Sequence, residues 1–242
     1  MADHIGKLKE LKASHEAWVE QSLGLDRLKL RDDTIYGDYI DEWAQRAHLD
    51  DWKGWSSFVL GSGQPHIRVE IDDDLEKLRS WLLSRVWPGR YPELERAFSN
   101  FSRVLQDFHE TLRSHLERHP SSPMHFTAKF YQIEEWDPPR YERLSSQYDF
   151  HVDIVSDLML ELTRAANLIC DQIRRHIAHN YRLAEGHLIV QRGPDINFSW
   201  SEFVTRYSAD ESALARPYPG LEQFYDVRSK RDWTIGRGKP GA

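Results

Sequence analysis

Few residues of this chain have types and spacings that could do chemistry, and most are arginines and histidines at helix ends. Arg174 and His179 stand five positions apart, a guanidinium and an imidazole. His115 and His119 have the i, i+4 spacing that turns two imidazoles to one side of a helix, where they can share a metal ion. His109, His151 and His176 could join them across a bundle. Asp153, Asp157 and Glu161 recur every fourth residue and meet Arg164 three residues on. Such a ladder reads as a solvated face partly neutralised by Arg164, with a cation site or a docking surface for a basic partner as the alternative. Asp72, Asp73 and Asp74 precede an apolar periodic segment, which makes them first a charge signal for a helix start and second a divalent-cation site.

Nothing fits a nucleophilic triad or a nucleotide loop. No G-x-S-x-G is present, the single cysteine Cys170 lies in an apolar stripe, and GSGQP at 61–65 lacks the G-K-[ST] of a phosphate loop. No cofactor is implied.

The Arg174/His179 spacing resembles the Arg-x(4–6)-His motif of the HEPN superfamily, helical-bundle proteins often acting as metal-independent ribonucleases. The resemblance implies a catalytic pair in which His179 serves a ribose 2′-hydroxyl as base or acid and Arg174 steadies the phosphate. It covers one helix end. Arg175 stands where the family usually has Asn, Asp or His, and Arg182 with His187 repeats the spacing. Arg103 with His109 and Arg113 with His119 are one residue longer. The alternative is a basic helix terminus complementing its dipole.

The elements that must position these residues are helices. Asp149 to Arg182 has no Gly or Pro and carries Val155, Met159, Leu162, Ala166, Ile169 and Ile173 on one stripe, widened by Ile154, Leu158, Ala165 and Leu168. It reads as a helix buried on more than one side, entered by a helical segment that begins near Pro139 and runs into it, straight or bent. Tyr91 to His119 is a second long helix, with Phe98, Phe101, Leu105, Phe108 and Leu112 inward. Shorter helices are predicted over Ile5–Leu23, closed by Gly24, over Ile35–Leu49, after Asp74, and over Trp200–Tyr207. Strands are predicted at 124–133, 187–192 and 66–71.

The fold expected is mainly α: a bundle of five to seven helices with a small β element at one end. Residues 1–227 form a single helical domain. Residues 228–242 form a basic, partly disordered tail, whose charge could fold it back on the acidic ladder.

A net charge of −7 argues against a surface that binds nucleic acid by charge all over. The Trp-rich stretch 43–55 is interleaved with Asp and Glu, which does not suit a phosphate groove. The lone cysteine precludes an internal disulfide, and no apolar run reaches membrane-span length, so a soluble cytoplasmic protein is expected. The functional expectation is a protein-interaction or accessory subunit with a protein partner or a second copy of itself. The alternatives are a HEPN-like ribonuclease acting on RNA through Arg174 and His179, and a bundle metalloprotein using His115 and His119.

Overall fold

We describe a computed structural model of the chain, covering residues 2–61, 64–118, 121–194 and 197–235, without the side chains of 2–11, 13 and 17. Among the described residues there are seven α-helices and five short strands, so the fold is mainly α with a small β component.

The first helix, α1 (Ala2–Arg46), is one continuous element of 45 residues where two helices were expected. At 1.5 Å per residue it is roughly 67 Å long. Gly24 does not end it, because a glycine inside a helix costs only about 1 kcal/mol. The stretch LDRLKLRDD that follows is mostly strong helix formers with no proline. Lys12–Glu16 and Lys29–Asp33 are i, i+4 ion pairs along it. The chain divides into two compact units, residues 1–42 and 43–242.

The second unit is built on two helices. α5 (Pro138–His176) starts at Asp137, whose carboxylate accepts from the Arg140 amide at 3.1 Å, with Pro138 in the first turn. Every residue from Ile154 to Cys170 is buried, so over that stretch the helix has no solvent face. α4 (Pro92–Arg113) lays Phe98, Phe101, Leu105, Phe108 and Leu112 against the core. It lies antiparallel to α5. His176 Nε2 is 4.0 Å from Glu93 at one end, and the His115 and His151 rings are 4.8 Å apart at the other.

The tryptophans of 43–55 belong to this core. Trp43 meets Phe98 and Phe101 edge-on at 5.4 and 5.6 Å, and Trp52 donates to Thr163 at 3.2 Å. Trp52 and Trp55 lie in α2 (Trp52–Val59), and α3 (Val69–Ser84) packs on α4.

The β element is two separate sheets. β1 (His66–Arg68), β3 (Met124–Thr127) and β2 (Leu116–Arg118) form an antiparallel sheet in the order β1-β3-β2, with His66 opposite Phe126 and Leu116 opposite Thr127. β2 replaces the last turn expected of the second long helix, since its backbone pairs with β3. β4 (Ile189–Arg192) pairs only with β5 (Ser201–Val204), so 187–192 does not share a sheet with 124–127. β5 takes the place of the short helix expected at 200–207. Thr205 and Tyr207 are buried while 204, 206 and 208 are exposed, a period of two rather than 3.6. Two short helices, α6 (Ala209–Ala213) and α7 (Leu221–Val227), complete the unit. Among the described residues no helix is long and apolar enough to cross a membrane.

Candidate functional site

The acidic ladder of α5 is buried from Asp157 onward, with Asp153 half-buried at its start. Asp157, Glu161 and Arg164 are at most 2% exposed, covered by the segment from Thr205 to Ile235. Arg228 pairs with Asp157 at 2.9 Å, and the Ile235 amide donates to the same carboxylate at 2.6 Å. Glu161 accepts from Arg231 at 2.9 Å, from the Tyr207 hydroxyl at 2.8 Å and from Arg164 at 3.2 Å. Arg164 also donates at 2.6 Å both to Asp232 and to the Trp233 carbonyl.

Burial raises the carboxyls of Asp157 and Glu161 above their usual range, with the neighbouring arginines pulling against it. Burial also disfavours ionisation of Asp232, but the hydrogen bond and charge of Arg164 outweigh it and hold that group low. The partners just named are all protein groups, so the arrangement is a latch holding the C-terminal segment to α5. The expected basic tail is, as far as residue 235, anchored to α5 through the buried Arg228 and Arg231, while 229, 230 and 232–234 keep exposed faces. Residues 236–242 lie outside the described residues.

A second buried cluster joins α3, α4 and the three-stranded sheet. His109 Nε2 is 2.8 Å from Asp72 Oδ1, and Arg79 Nη1 is 3.3 Å from His109 Nδ1. A guanidinium only donates, so Nδ1 accepts, and Nε2–H donates to Asp72. Burial opposes ionisation of Asp72, yet the His109 hydrogen bond and the charge of Arg113 hold its carboxyl below the ordinary range. Asp72 lies in the first turn of α3, where its charge suits a helix start. Its buried partner was signalled only by a histidine beside Phe108 in the apolar stripe of α4. Asp72 and His109 are wholly buried and do not reach a substrate.

Arg174 and His179 end up on a helix end and the turn beyond it. α5 stops at His176, and His179 is exposed in the following turn. Arg174 donates to the Tyr181 carbonyl at 3.2 Å and pairs with Asp171, so it holds that turn against the helix. Arg206 shares Asp171 at 2.8 Å and donates to His187 Nε2 at 3.3 Å, while Arg182 pairs with Asp50 at 2.9 Å. His115 lies beyond the end of α4, its ring 4.4 Å from Phe130. The helix that would have aligned it with His119 is absent there, and His119 itself lies outside the described residues. Burial lowers the pKa of His115 and, with help from His115, brings His151 down to about 4. Among the described residues no group of three or more His, Cys, Asp or Glu is placed to hold a metal ion. Burial raises the Cys170 thiol to about 12, leaving it protonated and unreactive.

Two open features of the described surface bear on function. A groove of about 500 Å³ lies between the start of α4, the end of α5 and the loop after α6, with Arg96 and Arg175 among its walls. Along α1, Trp18 (63% exposed), Leu23 (53%), Leu25 (59%), Leu28 (46%) and Leu30 (70%) face water. Trp18, Leu25 and Leu28 share the strip on which Asp32, Tyr36, Ile40 and Trp43 are buried farther along the helix. No protein-family model, curated protein or solved structure matches this chain.

Proposed function

We propose that this chain is a cytoplasmic protein-interaction or accessory subunit that engages another protein, or a second copy of itself, through the N-terminal part of α1. The observation that carries the reading is the run of five large apolar side chains between Trp18 and Leu30, each about half exposed or more. A helix is held mainly by packing its apolar face, and surface ion pairs such as Lys12–Glu16 add only about 0.3–0.5 kcal/mol each. A helix with this surface uncovered gains most by docking on an apolar strip of another chain. The lone buried thiol is compatible with a reducing compartment.

The test is a mass measurement of the full chain in solution, with a photo-crosslinker at position 25 in the source cell. A complex that cross-links through position 25 and is lost in Leu25→Gln with Leu28→Gln is the expected result. A chain that stays alone and cross-links to nothing ends the reading, as does a complex the double variant leaves intact.

RNA cleavage by Arg174 and His179 is the second reading. It is favoured by one observation: Arg174 holds, through the Tyr181 carbonyl, the turn on which His179 is displayed to solvent. Single-stranded RNA incubated with the protein and EDTA should then be cut, and His179→Ala should abolish cutting. Uncut RNA, or equal cutting by the variant, rejects it.

A further inference from the structure

The groove beside the end of α5 has the wrong charge balance for an idle surface. Its charged walls are Arg96, Arg175 and Glu93. Arg96 meets Glu93 one turn earlier at 3.3 Å, with both side chains about half exposed. Arg175 has no acidic partner among the described residues. Two turns along α4 from Arg96, the Arg103 Nε is buried without a hydrogen-bond partner. Behind the groove wall, burial and the charge of Arg216, in the loop that forms the far wall, push Arg103 below the usual arginine range against the pull of Asp107. Guanidiniums gathered with too few carboxylates repel one another, and an anion seated among them relieves that repulsion.

The rest of the lining defines the ligand's body. Leu168 and the alanines at 97, 209 and 213 supply an apolar floor, and Gln172 a polar edge. About 500 Å³ is the volume of an ordinary small-molecule site. A phosphate dianion can accept two guanidinium forks at once, whereas a carboxylate matches one. A hydrogen bond from its own backbone holds the Glu93 carboxyl below the usual range, burial opposes this, and the charges of Arg96 and His176 add to the lowering. It is therefore ionised at neutral pH and offers an acceptor to a hydroxyl on the ligand.

We propose that this groove binds a small organic phosphate, its phosphoryl group bridging Arg175 and Arg96 and its carbon body lying on Leu168 and the alanines. The site is independent of α1 and of the interaction reading.

Calorimetric titration of the full chain with phenyl phosphate, benzoate and inorganic phosphate tests it. Phenyl phosphate should saturate a single site, with benzoate and inorganic phosphate each about tenfold weaker or more. Arg175→Gln, an exposed change in the last turn of α5, should weaken phenyl phosphate by about tenfold. Arg192→Gln, on the exposed end of β4, should leave it unchanged. Absent saturation, equal binding of benzoate, or equal loss in the Arg192 variant would overturn the proposal.

Discussion

Two long helices of this protein invert the usual assignment of faces. α5 buries a row of charged groups, Asp157, Glu161 and Arg164, while α1 leaves a tryptophan and four leucines in water. The difference lies in what each helix has been given to pack against. The segment from Thr205 to Ile235 carries Tyr207, Arg228, Arg231 and Asp232, complements of the α5 ladder in hydrogen bonding and charge. Among the described residues, the apolar side chains from Trp18 to Leu30 stay about half exposed or more. A helix's composition therefore specifies the chemistry of its cover, not whether that face is wet.

The strongest way to break this comparison is to unbalance the latch. Glu161→Leu partly strands Arg164, Arg231 and the Tyr207 hydroxyl in the interior, with Arg164 still on Asp232 and Arg231 still on Glu211. Breaking a buried ion pair from one side costs about 3–5 kcal/mol, a loss readable in the urea midpoint. Adding Arg231→Leu removes one stranded charge, so the double variant should be more stable than the sum of the two single losses, with a coupling of about 1–3 kcal/mol. Strict additivity would show that Glu161 and Arg231 are not a pair in solution.

That latch also marks where the sequence was and was not legible. The α4 and α5 stripes, the antiparallel core and the strands near 66, 124 and 189 followed from spacing, because apolar periodicity reports burial directly. The ladder looked solvated because its period of four is that of an exposed helix face. Its complement lies about seventy residues away, as with Arg231 and Glu161, where no local pattern connects them. β2 and β5 were missed for a related reason: each is only three or four residues long and exists through its pairing. Arg175, read as a departure from a motif, is the arginine that lines the groove, whereas Arg174 braces a turn.

A second test concerns the histidines between α4 and α5, whose effect is smaller and appears only in acid. His151 is down to about 4 in the folded chain, against about 6.5 in the unfolded one. As pH falls between those values the unfolded chain takes up a proton that the folded chain refuses. Stability should therefore drop by up to about 1.4 kcal/mol per pH unit across that window, while the contribution is fully present above it. His151→Phe keeps a ring against His115 and Phe130 and should flatten this part of the acid limb. Urea midpoints at pH 7 and pH 4.5 that fall equally in both proteins would assign the acid loss to other groups.

The smallest expected effect is the sharpest contrast with the latch. If the leucines of α1 face water in the isolated chain, Leu25→Gln with Leu28→Gln removes no buried contact and keeps good helix formers at both positions. The isolated chain's unfolding free energy should then change by no more than about 0.5 kcal/mol. In a complex covering this strip, the same two changes withdraw two leucines from an apolar interface. At about 1.5–3 kcal/mol for each fully buried leucine, affinity should fall more than a hundredfold. A pair of substitutions nearly silent in the monomer and severe in the assembly is the signature of a surface meant to be covered. An equal loss of stability in the isolated chain would mean that the strip is already packed, and would place α1 in the same class as α5.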